Sequence, residues 1–149
     1  MDNKFMSRAL LLAREAGGKG DVPVGAVIVK DGKIIGEGGN TREIEFDITG
    51  HAEINAIRSA ARYLKSWRLD GCDIYVTLEP CPMCAAAISA SRIDNVYFGA
   101  YDKRAGAVES MTRLYDLPLE HRPEFYGGIM EEETANLLKD FFKAKREDR

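Results

Sequence analysis

The chain has 149 residues, 45% of them hydrophobic and 30% charged, with a formal net charge of −3. That length suits one domain able to bury roughly two-thirds of its unfolded surface; the balance excludes global disorder, and the charge excludes a generally basic nucleic-acid coat protein. No apolar run approaches the roughly 20 residues of a membrane span, and no signal-peptide core is present, so a cytoplasmic protein without a membrane partner is expected.

Phe5, Ala9, Leu12, Ala13 and Ala16 recur at helical spacing, and Gly17-Gly18 closes an amphipathic N-terminal helix. Val24–Lys30 and Lys33–Glu37 flank Asp31-Gly32, which predicts a hairpin. Gly38–Gly50 is polar and too irregular for an element. From His51 to Lys65, Ile54, Ile57, Ala61 and Leu64 share one helical face. Asp73–Thr77 reads as a β-branched strand, Pro80 as the turn after it, and Cys81–Ala90 as an alanine-rich helix. Asn95–Gly99 is a further strand, and Glu131–Lys145 a last helix with Leu137, Leu138, Phe141 and Phe142. Tyr101–Tyr126 is the least readable stretch, with a short helix expected near Ser110–Tyr115. Strands alternating with helices after one hairpin imply an α/β sandwich with a mixed sheet.

Two short motifs stand where a strand or loop hands over to a helix: His51-Ala52-Glu53 and Pro80-Cys81-Pro82-Met83-Cys84. Cys81 and Cys84 lie about one turn apart and face the same way. Two thiolates and one imidazole suit zinc, and three protein ligands leave a fourth position for a water that ionises near pH 7. Helix N-termini facing the metal help to hold the thiolates as anions. Glu53 follows His51 by two positions, about 200° around a helix, so both reach one cavity only if His51 sits at the cap. A carboxylate there acts as a general acid and base. The same residues leave other readings open. Cys81 and Cys84 can be a redox pair, and Cys72 or His121 can complete a structural zinc site.

The two motifs together resemble the signature of the zinc-dependent cytidine deaminase superfamily. Within it, the chain is similar to the bacterial tRNA-specific adenosine deaminases over nearly its whole length. The likeness runs through Val22–Val27, Gly36–Asn40, His51–Ile54, Tyr75–Pro80, Phe98–Ala100, Asp102, Gly106-Ala107, Tyr126–Ile129 and Leu137–Phe142. It implies a three-layer α/β/α sandwich of the cytidine-deaminase kind, a single zinc-dependent deaminase domain over residues 1–149, and one Zn2+ per chain. It further implies a homodimer that converts the wobble adenosine of a tRNA anticodon stem-loop to inosine. By position, His51, Cys81 and Cys84 hold the zinc and Glu53 shuttles protons. Asn40 hydrogen-bonds the flipped base, the Ala52 backbone helps to hold it, and Asp102 contacts the substrate backbone. Phe141, Phe142, Lys145 and Arg146 lie on a helix beside the anticodon loop, in a strip that also includes Lys139 and Lys143, with Lys103 and Arg104 as further candidates.

Two positions depart from the family pattern. Its usual Pro-Thr-Ala before the histidine is replaced within Asp47-Ile48-Thr49-Gly50, where the glycine is expected to loosen the backbone beside a zinc ligand. Tyr101 stands where an arginine often precedes the family aspartate. The competing enzyme reading is a zinc deaminase of a free base or nucleoside, of the guanine or cytosine type. A non-enzymatic zinc-stabilised partner is disfavoured by the presence of Glu53.

Overall fold

The computed structural model describes residues 3–147. Among these, strands β1 (Gly25–Lys30), β2 (Lys33–Gly39), β3 (Cys72–Leu78), β4 (Asn95–Ala100) and β5 (Glu124–Tyr126) form one sheet, ordered β2-β1-β3-β4-β5. β1 is antiparallel to β2 and β3, whereas β3, β4 and β5 run parallel, so the sheet is mixed. Helices α1 (Lys4–Gly18), α2 (Ala52–Leu64), α3 (Pro82–Ala90) and α4 (Glu131–Glu147) cover it. None of the helices is long and apolar enough to cross a membrane.

The period-two pleat sorts the core into two layers. Ala26, Ile28, Ile74, Val76, Val96 and Phe98 pack with Ala52, Ala56 and Ala60 of α2 and with Ala85 and Ile88 of α3. The alternate positions Val27, Val29 and Tyr75 pack with Met6 and Ala9 of α1, and with Ile129 and Met130 just before α4. The expected three-layer sandwich results. Each fully buried Ile, Val or Phe contributes about 1.5–3 kcal/mol, and the small alanines let α2 and α3 lie close on the sheet.

The hairpin turns at Asp31 and Gly32, whose φ values of 51° and 74° are those of the tight turn this dipeptide favours. Because β1 opposes both β2 and β3, the C-terminal ends of β2, β3 and β4 lie along one edge of the sheet. The segments that follow them therefore gather there, the usual location of a ligand site in an open α/β sheet.

The stretch read as least legible holds two surprises. The helix expected at Ser110–Tyr115 is one short 3-10 turn, Leu114–Asp116, and β5 appears where no strand was foreseen. β2 also runs on to Gly39, into the span read as irregular. In α4 only Thr134 is buried; Phe141 is half-buried and Phe142 is 46% exposed, so neither phenylalanine is a core residue.

Candidate active site

The segments leaving β2, β3 and β4 enclose a cavity of about 720 Å³ whose lining includes His51, Glu53 and Cys81. His51 is the N-cap of α2, in extended conformation (φ −87°, ψ 150°), and Cys81 is the N-cap of α3 (φ −74°, ψ 174°) with Pro82 opening the helix. N-caps usually carry Ser, Thr, Asp or Asn, whose side chains bond the first free amides. Here neither side chain caps its helix. Both turn towards each other instead: His51 Nδ1 lies 3.6 Å from Cys81 Sγ and 3.5 Å from Cys84 Sγ. The three donor atoms fall within 4.8 Å of one another, the geometry of a group able to hold one metal ion. The cap position of His51 also lets Glu53, in the first turn of α2, reach the same cavity.

The electrostatics follow from crowding and burial. A hydrogen bond from Cys84 and another with His51 outweigh burial and pull the Cys81 thiol down to about 4. Cys84, fully buried, is pushed the other way by its bond to Cys81 and by burial. The bond to Cys81 raises the His51 imidazole against burial. Glu53 is only 4% exposed, and burial pushes its carboxyl up to about 7, in the range a general acid and base needs.

Other expected contributors take varied places. Asn40 lines the cavity, and its Oδ1 accepts the Ala52 N–H at 2.8 Å, which fixes the start of α2. The Ala52 amide is thereby engaged within the protein, and its side chain is buried. Asp102 lines the cavity while its Oδ1 accepts the amides of Arg104 and Ala105, closing its own turn. Phe142 reaches the cavity from α4, whereas Lys145 and Arg146 stand exposed beyond it, with Lys145 over the Phe141 ring at 5.6 Å. Cys72 and His121 do not join the donor group. Cys72 is buried at the start of β3, and His121 Nε2 lies 2.6 Å from the Ile93 carbonyl.

Lys103 and Arg104, candidates for the basic strip, line the cavity, and Arg42, Tyr101 and Leu138 complete its walls. Asp21, fully buried, accepts the amides of Val22, Glu43 and Ile44, and so anchors the segment 41–50. Gly50 departs from the expected loosening. It is buried, its carbonyl accepts the Thr41 N–H, and a Cβ there would lie 2.7 Å from Thr41 Oγ1 and 2.9 Å from the Arg42 nitrogen. The glycine permits a tight crossing of the chain over itself rather than slack beside His51.

Two thiolates and an imidazole are donor types that zinc takes, and a set of three leaves the open position of a catalytic rather than a structural site. With a buried carboxylate beside them, the fold and the site define a zinc-dependent hydrolase. Residues 1–100 match the cytidine and deoxycytidylate deaminase zinc-binding region, and the chain belongs to that family of deaminases. Its cofactor is zinc, one ion for the His51, Cys81 and Cys84 group. The chain is 52% identical over 146 residues to the tRNA-specific adenosine deaminase of Agrobacterium fabrum, covering 97% of this chain and 95% of that one. It is 42% identical to the protein of the same name from Bacillus subtilis, over 97% and 91% of the two chains. A structure from a study of A-to-I editing by tRNA:A34 deaminases at the wobble position superposes with a TM-score of 0.90 and 49% identity, over 92% of this chain and 100% of that one. A guanine deaminase structure from Bacillus subtilis follows with a TM-score of 0.65 and 37% identity, over 80% and 88%.

Proposed function

We propose that the protein hydrolytically deaminates the wobble adenosine of a tRNA anticodon stem-loop to inosine. The observation that carries this reading is the joining of Glu53 to the His51, Cys81 and Cys84 donors at the floor of a cavity whose rim bears Arg42, Lys103 and Arg104. The likeness to tRNA-specific adenosine deaminases over 97% of the chain supports the choice of substrate. An adenosine inside a duplex is unreachable, whereas a loop nucleotide can be splayed into such a pocket while cations meet the phosphates.

Zinc, when bound, supplies the Lewis acidity that makes water a nucleophile near neutral pH. Glu53 accepts the proton that the attacking water loses and passes it to N1 of the ring. The proton that remains on the added oxygen then travels through Glu53 to the amino group, which leaves as ammonia while C6 keeps the oxygen as a carbonyl. Burial at the floor keeps this carboxyl able to hold and to release a proton at neutral pH. Asn40, with Oδ1 tied to the start of α2, offers its amide N–H to the base. Phe142 gives the rim an exposed ring, and Lys145 and Arg146 extend its positive charge along α4. The same reading takes residues 1–149 as one deaminase unit, acting as a homodimer in the cytoplasm.

The test is deamination by purified zinc-loaded protein, with Glu53→Ala as control, of an anticodon stem-loop bearing a wobble adenosine. Free guanine, cytosine, adenosine and cytidine are offered in parallel. Inosine in the stem-loop alone is expected. Ammonia from free guanine with the RNA untouched overturns the substrate and favours the second reading, to which the guanine deaminase likeness points.

A further inference from the structure

Glu79 lies two residues before Cys81, is 2% exposed and borders the same cavity. Its carboxylate is surrounded by donors from one distant segment. Oε1 accepts the Asp102 N–H at 3.0 Å and the Ser110 hydroxyl; Oε2 accepts the amides of Val108 (3.1 Å), Glu109 (2.8 Å) and Ser110 (3.0 Å). The adjoining Pro80 carbonyl accepts the Ala107 N–H at 2.8 Å. Residues 102–110 contain no helix or strand, so these bonds replace the ladder that would otherwise fix them. The backbone leaves room for the carboxylate: a Cβ at Gly106 would lie 2.4 Å from Glu79 Cδ. The segment so held supplies Asp102, Lys103, Arg104 and Ala105 to the cavity lining.

We infer that Glu79 is a positioning residue, whose carboxylate clamps segment 102–110 into place as a cavity wall and so sets the affinity for substrate. This rests on the deaminase reading above. The acceptor must be a carboxylate. Five donors converge on two oxygens, and an amide of the same size turns one oxygen into a donor facing other donors.

The experiment compares the zinc-loaded wild type with Glu79→Gln. The readouts are zinc content, steady-state kinetics on the anticodon stem-loop, and amide hydrogen exchange. The expected result is one zinc per chain, a KM raised about tenfold with kcat changed far less, and faster exchange confined to Asp102, Val108, Glu109 and Ser110. Unchanged exchange at those amides, or faster exchange with unchanged KM, overturns the inference, as does an equal fall in kcat with KM unmoved. If Glu79→Gln does not fold, Ser110→Ala removes one donor only. It should raise KM more modestly and quicken exchange in the same segment; an unchanged KM there overturns the inference. Should the wild type leave the stem-loop untouched, the substrate reading fails. The clamp is then judged from the exchange data, with KM measured on whichever free base is deaminated.

Discussion

At the floor of the cavity the three metal donors and Glu53 are buried or half-buried and come from the cap or first turn of α2 or α3. At its rim, Lys103, Arg104 and Phe142 are exposed, and they stand on an irregular segment and towards the end of α4. The contrast separates two requirements. Proton transfer and metal binding need atoms fixed within tenths of an ångström, which helix starts seated on a sheet provide. Meeting a polyanion needs solvent-facing charge whose exact place matters less. The floor even forgoes ordinary capping, because its two N-cap residues point at each other and not at their helices.

The most drastic way to test the division is Cys81→Ser. Zinc and activity should vanish together, as metal analysis and deamination assays will show. Serine is a favoured cap, so the zinc-free variant should be as stable as the zinc-free wild type or up to about 1 kcal/mol more so. Retention of a full equivalent of zinc with normal turnover would remove Cys81 from the ligand set. Glu53→Gln should keep the metal and lower kcat by about 10²–10⁴-fold. Burial disfavours the charge at this position, so its urea midpoint should not fall.

Besides Glu53, Asp21 and Glu79 are buried carboxylates, and each holds a loop by its amides. Asp21→Asn confronts the amides of Glu43 and Ile44 with a group that donates as well as accepts, and should cost about 1–3 kcal/mol in urea unfolding. For Glu79 the sign of the pH effect is set by its depressed carboxyl: the stabilisation is complete above the ordinary value of about 4.3 and disappears as pH falls through the lower folded value. Acid unfolding followed by circular dichroism should be steeper in the wild type than in Glu79→Gln over that window. The mildest change lies furthest out. Lys145→Ala with Arg146→Ala should weaken RNA binding and flatten its salt dependence by up to about two charges, with kcat unchanged. An unaltered salt slope takes both residues out of the interface.

What could be read from the chain beforehand was what local signals encode. Asp31-Gly32 between two apolar runs specifies the hairpin, and the periodicity after His51 and the alanine-rich run after Cys81 specify the helices that carry the donors. Strand β5 escaped notice because its three residues have no pattern of their own. Its place comes from register against β4 and from Tyr126 stacking on Tyr97 at 5.2 Å. The segment 102–110 escaped for a related reason: its shape is imposed by a carboxylate some thirty positions earlier in the chain. Asp21, next to Gly20, looks like one more turn residue until its bonds to Glu43 and Ile44 are seen. Gly50 misled in the opposite direction, since a missing methyl group suggests looseness and here allows close packing. Lys103 and Arg104 were recognisable as cations, but their place on the wall was not.

The donors from two different helices give the ion a mechanical role as well. Held by His51 at the start of α2 and by Cys81 and Cys84 at the start of α3, it would tie together elements otherwise joined through the sheet and a modest shared contact. Its binding energy is then also folding energy, about 2.7 kcal/mol at a free concentration a hundredfold above Kd. Heat resistance becomes a gauge of metal supply. In a zinc-starved cell this protein would lose its cross-brace along with its chemistry, and scarcity would be felt as faster proteolysis, lowering the number of enzyme molecules as well as the fraction that work.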